Sequence, residues 1–180
     1  AANWIALFNL HLKSAFKSSE NGADLFLEHS FWRDALALTW SLNTITGSRT
    51  IIDLLSEKAG QVGLSDIALD KTASPPQWVI RAGTDAIEAF LKFETKAAIG
   101  RGIVRLCPTA EPAKAGNSGR QWRAWTLFTA IDQLKGHEEK LDRNRPTGSS
   151  YSRDFRGPNW LDKRLAAQKY KDRNPAVLVV

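Results

Sequence analysis

The chain has 180 residues, a 43% apolar composition and a formal net charge of +6, with one cysteine and no methionine. That is enough for one packed domain and a tail. No run approaches the ~18 apolar residues of a membrane span, no basic-then-apolar leader opens the chain, and the single Cys107 excludes an intrachain disulfide. A lone thiol fits a reducing compartment, so the expected location is cytoplasmic. The positive surplus lies in residues 101–180, where it is interleaved with Glu138, Glu139, Asp142, Asp154 and Asp162. That mixture predicts a salt-bridged or docking surface and no nucleic-acid partner.

In chain order, Trp4, Ile5, Phe8, Leu12, Ala15 and Phe16 recur at the helical period, which predicts an amphipathic helix ended by Asn21-Gly22. Asp24 to Glu28 reads as a second, short helix. Ser30 to Asp34 reads as a strand or a pocket wall, and the apolar run Leu36 to Leu42 is open between helix and strand. Thr44-Ile45-Thr46 is β-branched and predicts a strand. Ser48 is the expected N-cap of a helix running to Ala59. Beyond Gly60 the period changes to two. Strand candidates are Ile67–Leu69, Trp78–Arg81 after the Pro75-Pro76 break, and Ile87–Glu94, where Ile87, Ala89, Leu91 and Phe93 share one face. Gly100 and Gly102 read as a turn or bulge before Ile103–Leu106. A loop over Pro108–Gly119 leads to a last strand over Trp122–Thr129. In that strand Trp122 and Trp125 differ in parity and should face opposite sides.

Helices followed by long antiparallel strands give an α+β class. The arrangement expected over residues 1–135 is a cone, with the N-terminal helices held in a strongly curved antiparallel sheet, as in NTF2-like (SnoaL-like) domains. Residues 136–175 form a polar linker or wrapping arm, with one helix about residues 160–171 and Pro158 at its first position. Ala176 to Val180, after the Asn174-Pro175 break, reads as the first strand of a further Rossmann-type domain that lies beyond residue 180. In such a domain a G-x-G-x-x-G loop follows the strand. An edge strand pairing back on the cone, or a dimer arm, is the other reading.

Four blocks carry a resemblance: Phe31-Trp32-Arg33-Asp34 through Trp40; Gly100 through Leu106; Trp122 through Thr129, leading to Leu134–Glu139; and Asn159-Trp160-Leu161-Asp162 through Val180. Together they resemble the N-terminal, NTF2-like region of fungal and bacterial flavin-containing monooxygenases, just ahead of the FAD-binding domain. The resemblance implies an accessory domain, structural, docking or dimerising, in an FAD- and NADPH-dependent oxidoreductase. None of the family's cofactor motifs lies in this segment. FAD and NADPH are thus implied for a longer protein, whose flavin domain is the expected partner, alongside a homodimer or a small-molecule ligand.

The residues also allow a stand-alone ligand binder, or an isomerase, dehydratase or cyclase. Its weak catalytic candidates are Asp34 as base and His29 as its aid, in an apolar cavity. Trp32, Trp40, Phe93 and Trp125 are the candidate pocket liners. Against this, Asp34 beside Arg33 reads equally as an ion pair or a cap, and His29 as a surface residue. His137-Glu138-Glu139 lacks a matching ligand cluster, so no metal is expected. Cys107 reads as a small buried apolar group.

Overall fold

The computed structural model describes residues 1–16, 24–112, 120–142, 145 and 156–171, without the side chains of residues 110–112 and 120. The chain divides into two units, Ala1–Glu139 and Lys140–Val180.

In the first unit, α1 (Ala2–Lys13) buries Trp4, Ile5 and Phe8 of the expected stripe, together with His11, which the apolar spacing does not mark; Leu12 is half-buried and Ala15, past the helix end, is exposed. Trp4 Nε1 donates to the Leu25 carbonyl at 2.8 Å. The Asn9 side chain exchanges two 2.8 Å bonds with the backbone of Ile67. The helix stops at Lys13, because Ala15 and Phe16 turn left-handed at φ 54° and 51° and Phe16 N–H bonds the His11 carbonyl. Asn21-Gly22, the expected stop, lies outside the described residues.

The helix expected over residues 24–28 does not form; β1 (Phe26–Ala35) begins there instead. The Leu25 carbonyl accepts both Trp4 Nε1 and the Ala124 amide. Sheet pairing therefore captures a segment too short to nucleate a helix alone. Helix α2 (Ser48–Val62) runs one turn past the expected Ala59 and buries Ile51, Ile52, Leu55 and Ala59. Its cap is Gly47, not Ser48, and no side chain caps it; Gly63 closes it at φ 65°.

The remaining strands are β2 (Thr44–Thr46), β3 (Ala68–Leu69), β4 (Gln77–Arg81), β5 (Thr84–Glu94), β6 (Ala98–Pro112) and β7 (Arg120–Leu134). They form a curved, open seven-stranded sheet of order β2-β1-β7-β6-β5-β3, with β4 also on β5. The α+β class is as expected. One pairing departs from it: β1 lies parallel to β7. The first strand is inserted beside the last, and the chain between them supplies the long connection that a parallel pair needs.

Curvature has a local cause. Gly100 and Gly102 sit inside β6, where the register slips between Ile99 and Gly100. A Cβ on Gly100 would meet the Phe93 ring at 2.2 Å, and one on Gly102 the Phe128 carbonyl at 2.5 Å. Only glycine lets the neighbouring chain come this close. A second slip sets Arg105 against Thr126 but Leu106 against Ala124, leaving Trp125 as the extra residue. Ala124 is buried before the slip, Leu127 and Thr129 after it, and Phe128 turns outward. The simple alternation expected for this strand is therefore broken at Trp125, and the parity argument for the two tryptophans does not apply.

The core lies between α1, α2 and the inner sheet face, around Trp32, Phe8, Phe26, Leu25, Ile51, Leu55, Leu91, Leu106 and Leu127. Each such side chain contributes about 1.5–3 kcal/mol by burial. On β5, Ala89, Leu91 and Phe93 point into it as read from the alternation.

The second unit contains α3 (Trp160–Gln168), opened by a capping box in which Asn159 and Asp162 exchange bonds. Pro158 therefore precedes the cap instead of occupying the first helical position. Trp160, Leu161 and Leu165, the expected apolar contacts, are exposed, with Arg164 over the Trp160 ring at 5.1 Å. Residues 172–180, including the expected terminal strand, lie outside the described residues, as do 146–155 of the arm.

Candidate interaction site

The end of β1 carries a buried polar cluster. Asp34 is fully buried, yet its carboxylate accepts four donors. These are Leu38 N–H at 3.1 Å, Thr39 N–H at 2.8 Å, Thr39 Oγ1 at 2.7 Å and Thr129 Oγ1 at 2.6 Å. Thr129 Oγ1 in turn accepts the Trp32 indole N–H at 2.8 Å. The parallel register brings these groups together, setting Asp34 beside Thr129 and Trp32 beside Leu127. A buried carboxylate satisfied in this way is a strong structural clamp, because each bond to it is charge-assisted.

What the clamp holds is residues 36–42. The segment is neither helix nor strand; it bulges from the β1–β2 hairpin and is closed by Asp34 N–H to Asn43 O and Leu36 N–H to Ser41 O. Leu36 and Trp40 adopt φ of 64° and 53°, a region that costs side-chain-bearing residues of order 1 kcal/mol. Ala37 and Leu38 plug into the core, while Leu36, Trp40 and Leu42 remain 41%, 59% and 60% exposed. The strained loop is fixed from beneath and presents three apolar side chains to solvent.

The sequence-derived site residues separate. His29 is exposed while Asp34 is buried, and five residues of strand place them on opposite faces. Trp32 is 0% exposed and Phe93 lies against Gly100; both are core, with Trp32 spending its N–H on Thr129. Trp125 is half-buried at the bulge. Trp40 alone of the four liners is prominently exposed, and it faces outward. Thr129 escaped the sequence reading, since nothing marks a strand threonine as the link between two residues nearly a hundred positions upstream.

Elsewhere on the sheet, Glu88 is buried on the outer face and held by Arg105 at 2.7 Å and Arg81 at 3.4 Å. Asp70 accepts the Thr72 amide and hydroxyl, which hold its carboxyl below the usual range. Burial pushes the Cys107 thiol up. Ser30 Oγ is buried on β1 without a hydrogen-bond partner among the described residues. No group of three metal-ligating side chains occurs among the described residues, and no described helix is long and apolar enough to cross a membrane.

No protein-family model matches the chain, and no curated protein does either. Solved structures similar in fold include one described as Rd1NTF2_04 with long sheet, at 13% identity and TM-score 0.46, covering 72% of this chain and 99% of its own. A steroid delta-isomerase from Pseudomonas aeruginosa is similar at 11% identity and TM-score 0.41, over 75% of this chain and 81% of its own. An NTF2-like protein from Burkholderia xenovorans is similar at 14% identity and TM-score 0.33, over 69% and 88%. These likenesses are to fold alone.

Proposed function

We propose that residues 1–139 form an accessory docking domain, and that the loop 36–42 is its contact element. The observation that carries this reading is the clamp: Asp34 spends four hydrogen bonds to hold a strained loop whose outward side chains are Leu36, Trp40 and Leu42. A rigid aromatic anchor flanked by leucines, ordered before contact, binds without further loss of loop entropy. For the partner we propose the flavin domain of an FAD- and NADPH-dependent monooxygenase in the cytoplasm, on the strength of the four sequence blocks. The chain contains no G-x-G-x-x-G run. FAD and NADPH contacts are proposed for the partner domain and for no residue of this segment.

The test uses the full-length gene product beside the 180-residue chain. Flavin absorbance of the purified full-length protein checks the partner's identity, and hydroxyl-radical footprinting of Trp40 checks the docking. Docking predicts that Trp40 is oxidised at least ten-fold more slowly in the full-length protein. Equal rates would remove the docking role, and a product that takes up no flavin would remove the monooxygenase assignment.

A further inference from the structure

A second surface, independent of the loop, lies at the sheet edge. Strand β4 pairs with β5 from Arg81↔Thr84 back to Gln77↔Glu88 across the two-residue turn Ala82-Gly83. Both turn residues have positive φ, 49° and 75°, the type I′ geometry that suits a tight hairpin. In such a hairpin the residues flanking the turn exchange both hydrogen bonds, and every second residue repeats the pattern. Arg81, Val79 and Gln77 therefore direct their backbone groups to β5. Trp78 and Ile80 direct theirs away from it, to an edge with no partner among the described residues.

This edge lacks the usual guards. From Trp78 to Ile80 it carries no charge and no proline, and its pairing with β5 has no bulge. Trp78 and Ile80 share one face and are 58% and 66% exposed. Trp78 is braced edge-on against Trp122 at 5.7 Å and bonds Asp85 through its indole N–H at 3.2 Å.

We propose that β4 pairs antiparallel with β4 of a second copy of this chain, about a two-fold axis at Val79. The sequence is self-complementary in that register. Trp78 falls opposite Ile80 of the second copy, twice, and each pair uses the outward backbone groups of both strands. Aromatic against β-branched is a favourable cross-strand pair. Arg81 falls opposite Gln77, so no like charges meet, and Glu88 of its own chain already compensates Arg81 at 3.4 Å. The exposed parts of Trp78 and Ile80 offer roughly 250 Å² of apolar surface per copy. This is well short of the ~1,200 Å² total of a standard stable interface. The dimer is accordingly weak and reversible, with a dissociation constant above about 10 μM.

Sedimentation of the 180-residue chain from about 5 μM to 500 μM tests association, and a cysteine at the axis tests register. Residues facing across a non-hydrogen-bonded antiparallel pair lie about 4.5 Å apart at Cα, within disulfide reach. Oxidised Val79→Cys should form a disulfide dimer at least ten-fold faster than Gln77→Cys, while the natural Cys107 is buried. Ile80→Lys should abolish the concentration dependence while leaving the circular dichroism unchanged. A chain that stays monomeric throughout, or equal crosslinking at positions 77 and 79, would overturn the proposal. Slow amide exchange at Trp78 and Ile80 that does not vary with concentration would also overturn it, since a strand other than a second copy would then cover the edge.

Discussion

Replacing Thr129 by valine keeps the side-chain volume and removes one hydroxyl, which the structure places between two buried groups. The Trp32 indole N–H loses its acceptor at 2.8 Å, and the Asp34 carboxylate loses a donor at 2.6 Å. An orphaned buried donor costs about 1–3 kcal/mol, and a hydrogen bond to a charged group contributes about 1.5–3 kcal/mol. Because the two share one hydroxyl, their losses overlap, and the expected destabilisation is about 3 kcal/mol. With a urea slope of about 1.5 kcal/mol per molar, the unfolding midpoint should fall by about 2 M. Urea titration read by tryptophan fluorescence and by far-ultraviolet circular dichroism measures this, and coincident curves justify the two-state treatment. Thr129→Ser, which restores the hydroxyl, should recover most of the loss. A Thr129→Val midpoint within about 0.3 M of the parent would mean that the Trp32–Thr129–Asp34 chain is not a closed network.

Two further outcomes test other parts of the fold. Gly102→Ala places a methyl 2.5 Å from the Phe128 carbonyl, so β6 and β7 must part. The expected cost is about 1–3 kcal/mol, read as a melting temperature several degrees lower, and an unchanged melting temperature would show that the close approach is not needed. His11 is buried and stacked on Phe16; burial lowers its proton affinity, opposed by the charge of Asp24. Its folded pKa is thus below the unfolded value of about 6.5, so its contribution is fully present above that pH and is lost as pH falls through the window beneath it. The urea midpoint should drop between pH 7.5 and pH 5.5, ahead of the loss from Asp70 and Glu94, whose hydrogen bonds hold their carboxyls below the ordinary carboxylate range and so act only at more acid pH. In His11→Gln that early drop should disappear; its persistence would assign the effect elsewhere.

Periodicity makes the first two turns of α1, most of α2 and the inward residues Ala89, Leu91 and Phe93 of β5 legible, because there the repeat coincides with the buried side. It failed where long-range pairing overrides local preference. Leu25, Phe26 and Leu27 read as helix only until Ala124 and Trp4 claim the Leu25 carbonyl. The alternation of β7 does not reveal its bulge, since a register slip depends on the neighbouring strand and leaves no mark on the strand that slips. The aromatic residues were the least legible. Trp32 and Trp40 have the same composition signal, yet one is wholly buried and the other projects from a loop. The difference is one of place: Trp32 lies on the inner face of β1, where Thr129 accepts its N–H, and Trp40 lies in the loop 36–42.

Asp34 was the residue most suggestive of chemistry in the sequence, and its surroundings bear on whether a base and a clamp can be one group. A carboxylate acting on a substrate must present an oxygen lone pair to it. Here Oδ2 accepts Leu38 N–H, Thr39 N–H and Thr39 Oγ1, and Oδ1 accepts Thr129 Oγ1 and, at 3.3 Å, a share of the same Leu38 N–H. Freeing either oxygen forfeits charge-assisted bonds of about 1.5–3 kcal/mol each. The loss would fall on the loop that keeps Leu36 and Trp40 in left-handed backbone. Proton abstraction by Asp34 and a fixed loop therefore compete for the same atoms. The loop has its three exposed apolar side chains in place with every one of those bonds made.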